Sequence, residues 1–162
     1  SALMEYDGET PLVEDQDYTL LTEASLDQTR TTPGIMIGTA RANPGKSIQQ
    51  PSDFQDAEKT AALQRTYNAM RSIGVDAFIS IGGDDTLKTA NKFQLFQKHL
   101  GDDQVTIPVV HLPKTIDNDY MGIDFTFGFF TAVGPEGISF MPDISNILDL
   151  EFINKNYLIF FA

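Results

Sequence analysis

The sequence contains no cysteine at any of its 162 positions. Disulfide bridges and thiolate metal sites are therefore excluded, and a chain of this kind suits a reducing compartment. Long apolar runs are also missing, and the first residues lack a basic segment followed by an apolar stretch. We therefore expect neither a membrane span nor a secretory signal, and we expect a cytoplasmic protein.

Positive charge is scarce as well. Eleven lysines and arginines stand against 23 acidic residues, which gives a formal net charge of -12. Such a chain would be repelled by nucleic acids and by anionic membranes, so we expect neither as a partner. An anionic substrate would have to meet a local concentration of positive charge.

The apolar residues are spaced as alternating strands and helices, and they are numerous enough to bury one core. A capping box of Ser52 and Gln55 is predicted to start the first helix, and Asp85 is predicted to cap the second. This alternation predicts an α/β fold with a doubly wound, mostly parallel sheet and right-handed crossovers. The predicted strands cover 35–37, 77–81 and 107–112, and the predicted helices cover about 53–73 and 87–100.

The two ends of the chain differ from its middle. Residues 1–29 carry eight acidic side chains and no lysine or arginine, which is typical of a solvated, weakly structured lead-in. Residues 134–162 are left unassigned, and their last apolar stretch predicts a buried strand or helix, or an exposed aggregation-prone end. We interpret 1–162 as a single partial domain.

Polar loops follow the predicted strands, and the carboxyl ends of parallel strands are where ligands bind. Gly82 and Gly83 would let the backbone approach a phosphate closely, and the helix that follows would offer free N–H groups. The adjacent Asp84 and Asp85 make sense if one of them holds a magnesium ion that bridges phosphate oxygens. The alternative is a plain turn in which Asp85 and Thr86 only cap the helix. These loops cover 39–43, 82–86 and 113–119.

The loop 113–119 combines a cation, a hydroxyl and carboxylates: Lys114, Thr115, Asp117 and Asp119. Phosphoryl transfer to a hydroxyl needs a carboxylate to accept the proton and a cation to neutralise the departing phosphate. A solvated turn with Asn118 and Asp119 as turn residues is the alternative interpretation.

Four motifs resemble those of the phosphofructokinase family, in the same order and at similar spacing. They are GTAR at 38–41 with Asn43 and Pro44, IGGDDT at 81–86, PKTIDND at 113–119, and DFTFGFFTAV at 124–133. The resemblance covers about residues 30–133 and implies a phosphofructokinase-like fold, Mg²⁺ as cofactor, and a homo-oligomer for the complete enzyme. The family's first phosphate loop, GGxxPGxN, and its MGR sugar motif are not recognisable, so we expect little activity from these 162 residues alone.

The resemblance also implies residue roles. Asp117 would be the general base that activates the 1-hydroxyl of fructose 6-phosphate, with Thr115 and Ile116 beside it at the sugar and Asp119 in support. Asp84 would bind the magnesium ion. The donor phosphates would be bound by Arg41, Ala42, Gly82, Gly83, Asp85 and Thr86.

Asp85 and Lys114 bear on the phosphoryl donor. In the family that this chain resembles, ATP-dependent members usually have glycine in place of Asp85 and commonly in place of Lys114. Pyrophosphate-dependent members have the aspartate and lysine pair. A carboxylate at position 85 would place charge and bulk where the α-phosphate of ATP should lie, and Lys114 could stabilise a phosphate leaving group. Pyrophosphate is therefore the favoured donor, and fructose 1,6-bisphosphate the expected product.

Three alternatives stay open. The first is an ATP-dependent 6-phosphofructokinase that tolerates Asp85. The second is an NAD- or lipid-kinase-like protein with a similar glycine-rich loop, against which PKTIDND and FGFFTAV speak. The third is a non-catalytic fragment with a regulatory or structural role. His111 lies in an apolar run and is expected to be a satisfied core residue rather than a ligand.

Overall fold

A computed structural model describes residues 2–22, 41–129 and 157–161. The α-helices are α1 (Ala2–Glu5), α2 (Ala57–Ser72) and α3 (Asp84–Gln97), and a 3-10 helix at Pro51–Gln55 precedes α2. The strands are β1 (Ala77–Gly82), β2 (Val109–Pro113) and β3 (Tyr157–Phe161). Within the described ranges, every helix is too short or too polar to cross a bilayer.

The sheet places β1 in the centre, with β2 on one side and β3 on the other. Both pairings are parallel, with Phe78 opposite Val109 and Ala77 opposite Tyr157. The predicted parallel α/β sheet is therefore confirmed. The final apolar stretch forms β3, and the rest of 134–162 lies outside the described residues. The strand predicted at 35–37 lies outside the described residues.

The core lies between β1 and the two longer helices. Leu63 and Tyr67 of α2 are buried together with Phe93 of α3 and Phe78 of β1. The rings of Phe78 and Phe93 meet edge to face, with their centroids 5.8 Å apart. Burial of one large apolar side chain stabilises a fold by about 1.5–3 kcal/mol, so these contacts hold the helices against the sheet.

The start of α2 differs from the prediction. The helix begins after Asp56, whose carboxylate accepts hydrogen bonds from the backbone N–H groups of Glu58 (2.9 Å) and Lys59 (3.2 Å). The predicted capping box of Ser52 and Gln55 is wrong, because both residues lie within the 3-10 helix. Asp56 is the side chain that satisfies the free N–H groups of the first turn, and it therefore sets the start of the helix.

The start of α3 also differs. Gly83 occupies the N-cap position without a side-chain cap, and Asp84 and Asp85 both lie in the first turn. The prediction that Asp85 caps this helix is wrong. The two carboxylates still favour the helix, because its amino end carries partial positive charge.

Strand β2 begins two residues later than predicted, at Val109. Ile107 is fully buried, but its backbone pairs with a side chain instead of a strand. Its N–H donates to Gln97 Oε1 at 2.7 Å, and its carbonyl accepts from Gln97 Nε2 at 2.9 Å. The buried amide of Gln97 thus completes the hydrogen bonding of this segment.

The first described residues form the short helix α1. Helix α1 packs on α2, and the Nε–H of Arg65 donates to the carbonyl of Met4 at 2.7 Å. Leu3 is partly buried against the core. The backbone of this acidic segment is therefore tied to the domain at its beginning.

Candidate functional site

The carboxyl ends of β1 and β2 meet at one edge of the sheet. Gly82 pairs with Pro113 in the strand register, and the N–H of Lys114 donates to the carbonyl of Gly82 at 2.8 Å. The loops 82–86 and 113–119 therefore leave the sheet side by side. The sequence prediction that these loops share an edge is confirmed by this contact.

A cavity of about 400 Å³ lies beside the first of these loops. Four of the predicted donor-binding residues line it, namely Arg41, Ala42, Asp85 and Thr86. Its apolar lining residues include Phe78 and Phe93 as well as Met70 and Ala90. Thr115, Ile116 and Asp117 do not line this cavity. The residues predicted to bind the phosphoryl donor (the donor side) and those predicted to act on the sugar (the acceptor side) therefore lie on two neighbouring surfaces.

The two glycines of the loop differ in the space around them. A Cβ atom at Gly82 would lie 2.6 Å from the Cβ of Thr86 and 2.8 Å from its Cγ2. At Gly83 the nearest atom to such a Cβ would be the carbonyl oxygen of Lys114, at 3.8 Å. Gly82 is therefore required for the close packing of Thr86 against the end of β1, whereas Gly83 is not sterically constrained.

The segment that carries Arg41 is held against α3 by a residue that the sequence did not indicate. The ammonium group of Lys92 donates to the carbonyl of Gly45 at 3.1 Å, and the lysine stem packs on Gly45. Asn43, in the same segment, has a buried Oδ1 with no hydrogen-bond partner among the described residues. The contact between Lys92 and Gly45 follows no local sequence pattern, because the two residues are 47 positions apart in the chain.

The acceptor-side loop brings Thr115 and Asp117 together. The hydroxyl of Thr115 accepts from the N–H of Asp117 at 3.1 Å and lies 3.4 Å from its Oδ2. The side chain of Ile116 between them is 65% exposed. Asp117 is itself exposed, so its carboxylate is accessible to a substrate.

Tyr120 connects the two loops and was not predicted as a site residue. Its hydroxyl is buried, and within the described part of the chain it makes no hydrogen bond of acceptable geometry. Burial raises the pKa of the Tyr120 phenol, and the nearby carboxylates of Asp84 and Asp119 raise it further. The proposed metal carboxylate, Asp84, therefore lies close to the loop that carries Asp117.

His111 of β2 is half-buried behind this edge. Its Nδ1 lies 3.1 Å from the hydroxyl of Ser80, but its Nε2 is buried without a partner among the described residues. Burial lowers the pKa of His111. The expectation of a satisfied core histidine therefore holds for only one of its two ring nitrogens.

Among the described residues, no group of three or more histidine and carboxylate side chains could hold a metal ion by itself, so a magnesium ion here would also need phosphate or water ligands. Mg²⁺ commonly takes one or two carboxylates and completes its shell with water and phosphate oxygens. The exposed carboxylate of Asp84, beside Gly83 and the amino end of α3, matches that pattern.

Comparisons with known proteins identify the family. The phosphofructokinase family model matches residues 2–135. A pyrophosphate–fructose 6-phosphate 1-phosphotransferase of Streptomyces coelicolor is 37% identical over 101 residues, which cover 62% of this chain and 24% of the relative. An ATP-dependent 6-phosphofructokinase of Corynebacterium efficiens is 38% identical over 127 residues, which cover 78% of this chain and 31% of the relative.

A third relative, a pyrophosphate–fructose 6-phosphate 1-phosphotransferase of Amycolatopsis methanolica, is 40% identical over 100 residues, 62% of this chain and 23% of its own length. The chain thus spans less than a third of the length of each of these relatives. No solved structure matches the chain. Since the family model covers most of the sequence and the family's motif loops share one edge of the sheet, this chain belongs to the phosphofructokinase family.

Proposed function

We propose that the protein transfers a phosphoryl group from pyrophosphate to the 1-hydroxyl of fructose 6-phosphate and so forms fructose 1,6-bisphosphate. The observation that carries this proposal is the hydrogen bond from Lys114 to Gly82, because it sets the donor-side and acceptor-side loops side by side. Phosphoryl transfer depends chiefly on such positioning and on charge stabilisation. We further propose that the complete protein is a cytoplasmic homo-oligomer.

In this proposal Asp117 accepts the proton of the sugar hydroxyl as its oxygen attacks phosphorus. Thr115 lies against Asp117 and contacts the sugar or the phosphoryl group, with Ile116 at the substrate and Asp119 in support. The ammonium group of Lys114 neutralises the departing phosphate. Bound Mg²⁺ would neutralise charge on the donor phosphates, and Asp84 would hold it.

The donor phosphates occupy the loop 82–86 together with the mouth of the cavity. Gly82 and Gly83 keep the backbone open to them, and the N–H groups at the start of α3 face an anion favourably. The positive charge that the acidic chain must supply locally comes from Arg41, which lines the same cavity as Asp85 and Thr86.

Discrimination against ATP rests on Asp85. Its side chain is 94% exposed and lies 3.5 Å from the ammonium group of Lys88. Two like charges 4 Å apart repel by about 1 kcal/mol in water and by about 4 kcal/mol at an effective dielectric constant of 20. With such exposure the lower figure applies, so charge alone accounts for about a fivefold preference, and the bulk of the side chain supplies the rest.

The donor proposal is tested by two substitutions at one position. In the complete protein, Asp85→Asn removes the charge and keeps the bulk, and it should shift the ratio of kcat/KM values towards ATP by about fivefold. Asp85→Gly removes both and should shift the ratio further. An unchanged ratio in Asp85→Gly would contradict the steric argument.

The catalytic proposal is tested by Asp117→Ser. Loss of a general base lowers turnover by about 10²- to 10⁴-fold, and binding of fructose 6-phosphate, measured by calorimetry, should stay within about threefold of the unsubstituted protein. Near-normal turnover would remove Asp117 as the base.

A single relative-based observation favours a second candidate. The ATP-dependent relative from Corynebacterium efficiens matches a longer stretch of this chain than the pyrophosphate-dependent relative from Streptomyces coelicolor. An ATP-dependent 6-phosphofructokinase is therefore the alternative. Activity with ATP alone, and none with pyrophosphate, would establish it.

A further inference from the structure

The exposed loop that carries Asp117 is held in place by two residues with no assigned role. Ile116, Asp117 and Asp119 all have exposed side chains, so packing cannot fix their positions. Thr126, by contrast, is only 5% exposed, although Asp124 and Phe125 just before it are exposed. A buried polar side chain in an exposed region indicates a specific set of hydrogen bonds.

Asn118 makes the first part of this set. Its backbone φ of 52° lies in the left-handed region, which asparagine tolerates better than most residues. Its Oδ1 accepts from the N–H of Thr126 at 2.8 Å, and its Nδ2 donates to the carbonyl of Asp124 at 3.0 Å. Both ends of the amide are therefore bound to the segment that returns beneath the loop.

The hydroxyl of Thr126 makes the second part. It donates to the carbonyl of Thr115 at 2.8 Å and also lies 3.3 Å from Oδ1 of Asn118. The returning chain is fastened again one residue on, where the N–H of Phe127 donates to the carbonyl of Pro113 at 3.1 Å. Thr115 and Asn118 are thus both tied to Thr126, and Asp117 lies between them.

We propose that Thr126 and Asn118 are positioning residues, which fix the backbone on both sides of Asp117 and so set the place of its carboxylate. This inference rests on the proposed role of Asp117 as the general base. A misplacement of about 1 Å in a reacting group can lower turnover by about 10²-fold, so a clamp of this kind acts on kcat. Thr126 and Asn118 do not line the cavity proposed for the donor, so their substitution should leave the affinity for the donor unchanged.

Three variants separate this role from plain stabilisation of the fold. Thr126→Val is close in shape and lacks the hydroxyl, Thr126→Ala lacks it without adding bulk near the carbonyls, and Thr126→Ser keeps it. In the complete protein, both hydroxyl-free variants should lose about 10- to 100-fold in kcat with KM values within about twofold. Thr126→Ser should retain at least half of the original kcat.

Two further measurements complete the test. Hydrogen exchange of the amides at 115–119 should accelerate in Thr126→Val while exchange in α2 stays unchanged. In an Asp117→Ser background, Thr126→Val should cause no additional loss of turnover, because the carboxylate that it positions is already absent.

The outcomes are distinct. The inference is overturned if Thr126→Val and Thr126→Ala keep their kcat, if Thr126→Ser loses as much as they do, or if exchange at 115–119 does not change. It is also overturned if the losses from Thr126→Val and Asp117→Ser simply add. Near-normal turnover in Asp117→Ser alone would instead refute the proposed base, whatever the Thr126 variants do.

Discussion

The substitution Gly82→Ala tests how closely the donor loop is packed. The new Cβ would lie 2.6 Å from the Cβ of Thr86, about 1 Å closer than the ~3.5–4.0 Å optimum for two carbon atoms. Rotation of the Thr86 side chain cannot relieve this overlap, because its Cβ is fixed to the backbone of α3. The amino end of α3, which carries Asp84 and Asp85, would have to move away from β1.

The magnitude follows from that displacement. Overpacking of this kind costs about 1–3 kcal/mol of unfolding free energy. If the first turn of α3 moves by about 1 Å, turnover of the complete protein should fall by about 10²-fold, because the groups proposed to bind the donor move with it. Urea unfolding gives the first quantity, and kcat with saturating fructose 6-phosphate and pyrophosphate gives the second.

Gly83→Ala is the matched control. Its φ of -84° suits alanine, and the nearest atom to the new Cβ is 3.8 Å away. The change should therefore cost no more than the loss of about 1 kcal/mol that alanine causes at an N-cap. Equal effects of Gly82→Ala and Gly83→Ala on both quantities would refute the packing argument.

Two further predictions concern the pH dependence of folding stability. The ammonium group of Lys59 and the N–H of Gln49 hold the pKa of the Asp53 carboxylate below its usual range. The stabilisation that this carboxylate contributes should therefore be complete above about pH 4 and decline below it. Asp53→Asn should weaken this decline in thermal midpoints measured between pH 5 and 2. Burial lowers the pKa of His111, so the folded state favours the neutral ring. Folding stability should therefore fall as the pH drops below about 6.5. His111→Gln should remove this pH dependence between pH 7.5 and 5.

The sequence predicts those parts of the structure that depend on local pattern. The strand predicted at 77–81 forms β1, which extends one residue further to Gly82. A short apolar run that ends at two glycines is typical of a buried strand. The helix that contains Leu63 and Tyr67 is also predicted, because its apolar spacing has the helical period. Its start is not, since Asp56 and Ser52 both suit a cap and only the path of the chain decides between them.

Non-local contacts account for most of the differences. The late start of β2 follows from Gln97, which binds the backbone of Ile107 from another element. The hydroxyl of Tyr120 is likewise buried by residues that are distant in the chain. The hydrogen bonds of Thr126 also join residues from different segments. The glycine and aspartate motifs locate the edge of the sheet where the site lies, but the side chains that hold that edge in shape carry no periodic signal.

The position of β3 has a consequence for synthesis on the ribosome. Strand β1 pairs with β2 about thirty residues later, but its other neighbour, β3, follows about eighty residues later. At about 5–20 residues per second, the second neighbour leaves the ribosome roughly 4–16 s after β1. During that interval one side of an apolar strand is without its native partner, and contacts of such high sequence separation also form slowly. Aggregation through the unpaired side of β1 should be slower at low temperature or at low expression level. Both conditions should therefore raise the soluble yield of this protein.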